Sequence, residues 1–239
     1  MDILLKYFAD FTPTQVQQFG ALENLYKEWN EKINVISRKD IDSLYEKHIL
    51  HSLSIAAAFE FEPGTRILDL GTGGGFPGVP LAIFFPQVKF HLADSVGKKL
   101  KVIEAVAAAT GLQNITVQHT RAEAIADRKF DIVVSRAVAP LKDLIQWSKP
   151  VLSKNSGNKA GTHGLICLKG GDLAQEISES GYRPKMMQVS DIFPEASFKE
   201  KYLLYCAISE SGYRPKMMQV SDIFPEASFK EKYLLYCAM

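Results

Sequence analysis

The chain has 239 residues, 46% of them hydrophobic and 23% charged, with a formal net charge of +1. That is a soluble globular composition, long enough for one large or two small domains, and its longest apolar stretches, such as SIAAAF and VPLAIFF, are too short to span a bilayer. So neutral a balance leaves no nucleic-acid footprint of its own; only a local basic face can supply one.

The first eleven residues, MDILLKYFADF, carry Asp2 and Asp10 around a short apolar run and lack a basic start, so no signal peptide is expected. Apolar residues at helical spacing predict two helices, 12–34 from Thr12 and 40–59 from Asp40 or Asp42. FEPGT at 61–65 breaks the pattern, and strands then alternate with helices. TRILDL precedes a helix from Gly78, VKFHLAD (88–94) precedes a helix at 97–111, ITVQHT (115–120) precedes a short helix AEAIAD, and FDIVVSRA (130–137) precedes a helix at 140–152. After the loop NSGNKAGTHG come LICLKG (165–170), a helix at 171–180, and two runs with no helix between them, PKMMQVSD (184–191) and KEKYLLYCA (199–207). The alternation predicts an α/β protein with a mostly parallel sheet of about seven strands, covered on both faces. The last two runs are expected to pair antiparallel, as a terminal hairpin. An N-terminal helical cap, 1–60, and a sheet portion, 61–207, are expected to form one domain.

Residues 177–207, ISESGYRPKMMQVSDIFPEASFKEKYLLYCA, recur without a change at 208–238. Two identical units do not make a solenoid, which needs at least about three. Copy one continues GGDLAQE into a helix that ends at Gly181, whereas copy two has only ISESG after a strand. Copy one is therefore expected to complete the sheet, and 208–239 to be a surplus segment, appended or competing for the same edge position. Cys167, Cys206 and Cys237 show no paired spacing and lie in apolar strand-like runs, so buried free thiols in a reducing cytosol are expected.

GTGGGFPGVP, residues 71–80, follows the first strand directly, at the place where ligands of open α/β sheets gather. Gly71, Gly73, Gly74 and Gly75 permit a sharp turn and a close approach of ligand to backbone. From Gly73 the loop fits G-x-G-x-x-G, a dinucleotide pattern; from Asp69 it fits D-x-G-x-G-x-G, which suits a nucleoside without a pyrophosphate. The first pattern needs its leading glycine immediately after the strand, where Gly71 stands, and counted from Gly71 its third glycine is Phe76. An aromatic there obstructs a pyrophosphate at the helix N-terminus. S-adenosylmethionine is the favoured cofactor and NAD the runner-up, with Gly71 and Gly73 the glycines counted as contacts. Asp94, ending the second strand, is placed to hold ribose hydroxyls. Phe76 fits either the core or an aromatic face turned to a sulfonium. Ala122 and Glu123, after the third strand, are candidates for the adenine edge, though Glu123 equally fits a first-turn helix acid.

WNEKINVISRKD (29–40), KHILHSL (47–53), LDLGTGGGFPGVPLAI (68–83), ADSVGKKL (93–100), RAE (121–123), VVSRAVAPL (133–141) and LKG (168–170) are met in this order along residues 1–207. Together they resemble the bacterial small-subunit ribosomal RNA guanine-N7 methyltransferases, long called the glucose-inhibited division protein B family. The GFPG loop joined to an SRA segment is the specific part. His51 stands where that family usually has Asp, and copy two has no counterpart there. The resemblance implies a Rossmann-like class I methyltransferase fold, S-adenosylmethionine as donor, and N7 of one guanine in 16S rRNA of the small ribosomal subunit as acceptor. It implies cofactor contacts at Gly71, Phe76, Ala122, Glu123 and Arg136, with Asp94 on the ribose.

Guanine N7 has a free lone pair and no proton, so no general base is required and positioning is expected to carry the catalysis. The base has to be unstacked or presented in a loop. Arg136, ending the fourth strand, and Lys169, ending LICLKG, are the positioning candidates; Arg136 also fits a salt bridge that caps the strand. RNA contact is expected from Asn34, Arg38 and His48 of the cap and from Lys98, Lys99 and Arg121, most of which also fit a solvated helix face. His48 and His51, three apart, find no third ligand, so no metal is expected. A cytoplasmic monomer without membrane contact is expected. The competing readings are a methyltransferase for a small molecule or protein, an NAD-dependent oxidoreductase, for which no Tyr-x-x-x-Lys pair is evident, and a non-catalytic RNA-binding protein of ribosome assembly.

Overall fold

Between residues 66 and 207 the short apolar runs become strands of a single sheet. The computed structural model describes residues 1–125, 128–153 and 162–208, and the backbone of two further strands at 216–219 and 233–236. The strands are β1 (Arg66–Leu70), β2 (Lys89–Asp94), β3 (Ile115–His119), β4 (Ile132–Arg136), β5 (Gly164–Gly170), β6 (Lys185–Gln188) and β7 (Lys201–Ala207), in the order β3-β2-β1-β4-β5-β7-β6. The first five run parallel; β7 is antiparallel to both β5 and β6, as the terminal hairpin requires. Alternate residues feed two cores. Ile67, Phe90, Leu92, Ile132 and Val134 face one side, and Leu68, Leu70, Val133, Leu165 and Cys167 the other. The chain leaves β1 toward β2 and returns to β4 on the opposite side, which opens a crevice at the carboxyl ends of β1 and β4.

The helices are α1 (Asp2–Leu5), α2 (Pro13–Lys32), α3 (His51–Ala58), α4 (Gly78–Phe84), α5 (Gly97–Thr110), α6 (Leu141–Ser148) and α7 (Ala174–Ser180). A capping box starts α2: Gln15 N donates to Thr12 Oγ1 (3.3 Å) and Thr12 N to Gln15 Oε1 (2.9 Å), with Pro13 in the first turn. The helix expected over 40–59 is three pieces: a 3₁₀ turn at Ile41–Ser43, a π-helical turn at Leu44–Leu50, and α3. The helix expected to reach 152 stops at Ser148, because Pro150 cannot continue it. The helix expected from 171 starts at Ala174 and ends at Gly181, whose φ of +70° suits a glycine. After β3 only a 3₁₀ turn, Ala122–Ala124, forms; residues 126–127 and most of the loop at 155–164 lie outside the described residues.

The N-terminal helices pack on one face of the sheet. Leu4, Phe19, Leu22 and Tyr26 are fully buried in the same core as Ile67 and Phe90. Helices α6 and α7 cover the other face through Leu141, Leu144, Ile145 and Ile177. Strands β6 and β7 both come from copy one of the repeat. Within copy two, β8 (Lys216–Gln219) and β9 (Tyr233–Tyr236) make a separate antiparallel pair, with Lys216 opposite Tyr236 as Lys185 is opposite Tyr205. Cys167 and Cys206 are buried free thiols, and burial pushes the Cys206 thiol up to about 12; Cys237 lies outside the described residues. Among the described residues no helix is long and apolar enough to cross a membrane, and no group of three His, Cys, Asp or Glu side chains could hold a metal.

Candidate cofactor site

The glycine loop is tied down from beneath. Asp69, fully buried in β1, accepts from the Thr72 hydroxyl (2.6 Å) and from Gly78 N (2.8 Å), both at Oδ2. A strand carboxylate therefore caps the first amide of α4, the place a dinucleotide pyrophosphate would need. Burial raises the Asp69 carboxyl to about 7, against the pull of those two hydrogen bonds and of Arg136.

Each glycine then has its own reason. A β-carbon on Gly71 would lie 2.6 Å from Val138, on Gly74 2.9 Å from Val35, and on Gly75 2.6 Å from Val79 and 3.1 Å from the Tyr26 hydroxyl. Those three make room for the protein's own chain. Gly73, at φ +58°, would meet nothing within 4 Å, and so faces open cleft. Its N–H donates to Asp94 Oδ2 (2.8 Å), while Val96 N donates to Asp94 Oδ1 (2.7 Å). Each carboxylate oxygen keeps acceptor capacity for a further donor, as a ribose clamp requires.

The cleft holds about 610 Å³, within the range of small-molecule sites. Gly71, Gly73, Phe76, Asp94, Ala122, Glu123 and Arg136, the seven cofactor candidates, all line it. Phe76 fits the core reading while also lining the cleft. Its ring is 3% exposed, packed beside Tyr26 (5.0 Å between centres) and His48 (5.2 Å), and the Arg136 guanidinium lies 5.0 Å over it. A cation is thus already beside this ring. Burial lowers Arg136 to about 10, which leaves it charged at neutral pH. Ala137, the next residue, holds φ +52°, a left-handed conformation unusual for an alanine.

Lys169 does not enter the cleft. It is buried, forms an ion pair with Glu176 (2.6 Å) and donates to the Ala139 carbonyl, while Leu141 N donates to the same Glu176 (2.6 Å). That network fixes the loop carrying Val138, so Lys169 supports the cleft from behind. His48, expected to face RNA, turns its ring onto Phe76 and its Nδ1 toward Arg136. Lys99 and Arg121 line the cleft; Lys98, Arg38 and Asn34 are exposed outside it. Val35, Thr72, Ser95, Val96, Val138 and Trp147 also line the cleft and were missed by sequence reasoning. Val35 arrives because the Asn30 side chain accepts from Val35 N and Ile36 N (both 2.9 Å) and folds the chain back over the loop. Nothing in its apolar pattern signals that. For Ser95 and Val96 the signal was available, since they follow the ribose-binding position directly.

A family model described as rRNA small subunit methyltransferase G matches residues 15–202. The chain is 54% identical over 208 residues to the ribosomal RNA small subunit methyltransferase G of Bacteroides thetaiotaomicron, which covers 87% of this chain and 100% of that protein. It is 52% identical over 205 residues to the protein of the same name from Cytophaga hutchinsonii, covering 86% and 98%. The solved structure of a SAM-dependent methyltransferase from Aquifex aeolicus shares the Rossmann-like class I fold, with 14% identity and a TM-score of 0.50 over 71% of this chain and 97% of that one.

Proposed function

This chain belongs to the rRNA small subunit methyltransferase G family, and from that premise we propose that its cleft takes S-adenosylmethionine for methylation of N7 of one guanine in 16S rRNA of the small ribosomal subunit. The observation that carries the reading is the pairing of an open Gly73 face with a helix N-terminus already capped by Asp69, a site for a nucleoside and not for a pyrophosphate.

The roles follow from the geometry. Gly73 lets the cofactor lie against the backbone, and Asp94 offers lone pairs to the ribose. Ala122 and Glu123, at the wall after β3, take the adenine side. S-adenosylmethionine supplies a methyl group already activated on a sulfonium. Arg136 would repel that sulfonium, so its charge suits the methionine carboxylate or the guanine O6 edge. Guanine N7 bears no proton, so these residues need only bind, orient and exclude water. Lys99 and Arg121 at the rim, with the exposed Arg38, Lys98 and Asn34, suit phosphate and sugar contacts that set the register of the RNA.

The test is transfer of labelled methyl to small ribosomal subunits lacking N7-methylguanosine, with bare 16S RNA in parallel and nucleoside digestion afterwards. Label in N7-methylguanosine is the expected result. Label in another nucleoside, or none while S-adenosylmethionine still binds, would overturn the assigned acceptor.

A further inference from the structure

Arg136 is one of three cations lining the cleft, with Lys99 and Arg121, yet its direction is set by residues that do not line it. Its Nη2 lies 2.9 Å from His48 Nδ1, and its Nη1 lies 3.4 Å and 3.5 Å from the carbonyl oxygens of Lys47 and His48. A guanidinium only donates, so Nδ1 is the acceptor and the neutral ring carries its proton on Nε2. Both groups also lie beside the Phe76 ring, at 5.0 Å and 5.2 Å from its centre. Among the described residues Arg136 forms no ion pair with a carboxylate. Neutral acceptors hold the cation without cancelling its charge, which stays available to an anionic or acceptor ligand.

The π-helical turn at Leu44–Leu50 makes this possible. Lys47 and His48 sit in it, and it turns two main-chain oxygens and one imidazole nitrogen toward the same guanidinium. Such wide turns gather at functional sites because they re-aim groups that a regular helix would spend on itself. The charged and titratable neighbours of His48 are Arg136, Asp40, Lys47 and His51, and burial with the Arg136 charge holds its imidazole down to about 4. The acceptor nitrogen is therefore unprotonated at neutral pH.

We propose that His48 is a positioning residue for the methyl transfer: through Nδ1 it holds the Arg136 guanidinium in place beside Phe76, at the lining of the cofactor cleft. This rests on the reading of that cleft as the S-adenosylmethionine site. A guanidinium without that anchor has free torsions along its stem, and misplacement of about an ångström is enough to lose most of a binding or rate contribution.

The experiment is calorimetric titration of S-adenosylmethionine into the full chain and its His48 variants, with thermal unfolding of each. H48A is expected to weaken binding about tenfold, the loss of one charge-assisted hydrogen bond. H48N, whose side-chain oxygen takes the place of Nδ1, is expected to recover binding to within about threefold, whereas H48Q, whose oxygen reaches toward Nε2, is not. R136A and the double variant R136A/H48A are expected to bind alike, since His48 acts through Arg136. Recovery that follows side-chain size, with Gln at least as good as Asn, would show mere packing and overturn the proposal; so would H48A binding like the parent. If H48A does not fold, the Asn and Gln pair decides alone. A parent that binds S-adenosylmethionine but methylates no RNA refutes the acceptor and leaves this proposal standing. A parent that binds no S-adenosylmethionine sinks both.

Discussion

Asp94 spends one oxygen on Gly73 N and the other on Val96 N, at 2.8 Å and 2.7 Å, so an isosteric amide cannot replace it. D94N sets an N–H₂ against a backbone N–H, and calorimetry is expected to show S-adenosylmethionine affinity falling at least about tenfold. Two glycines make a contrasting pair. G73A points a methyl into open cleft at φ +58°, costs about 1–2 kcal/mol of backbone strain, and is expected to lose cofactor affinity out of proportion to its melting temperature. G75A, at φ +100° and 2.6 Å from Val79, is expected to fail in folding first, seen as a lost cooperative melt. Asp69 carries a pH signature. Its carboxyl rises from 3.8 to about 7 on folding, so the folded state keeps the proton that the unfolded chain releases. Its contribution to stability is full below about pH 4 and is lost as pH rises through 7. Urea midpoints for the parent are expected to include that decline between about pH 4 and 7, and D69N to remove it.

Among the elements, α2 depends on a signal visible in the sequence, Thr12 followed by Gln15, and the structure forms both halves of that capping box. T12A is expected to lower stability by about 1 kcal/mol in urea unfolding. The strands were equally legible, since β1 to β5 are short apolar runs bounded by turn residues, and the lack of a helix between β6 and β7 implied their antiparallel pairing. The π-helical turn at Leu44–Leu50 was not. Over seven residues its apolar spacing cannot be told from that of an α-helix, and the wide geometry goes with long-range partners, Arg136 and Phe76, that lie far off in the chain. Lys169 was misplaced for a related reason. A lysine at a strand end reads as a cleft residue until α7 brings Glu176 beside it.

For the whole molecule, the repeat decides the experiment. Deleting residues 177–207 or 208–238 leaves the same sequence, which differs from a chain ending at Ala207 only by the final Met, so one truncated protein tests both. It is expected to keep methyl transfer and its melting temperature, and limited proteolysis of the full chain is expected to remove 208–239 before the rest is cut. A segment 208–239 as resistant as the core, or a truncated chain without activity, would refute its being surplus. Copy one has the advantage of Glu176, just outside the repeat, which ties α7 to Lys169 and Leu141 N. Local pairing is identical in the two hairpins, with Met186 opposite Leu204 and Met217 opposite Leu235, because register is a property of the repeated unit itself. By itself the sequence determined what local pattern can encode: the alternation of strands and helices, the glycine turn, the acid closing β2, and the antiparallel terminal hairpin. Only the tertiary structure decided which glycine faces the ligand, that Val35 and Tyr26 press on the same loop, and that His48 holds Arg136. Those depend on contacts between segments tens of residues apart, and no residue type or spacing within either segment carries that information.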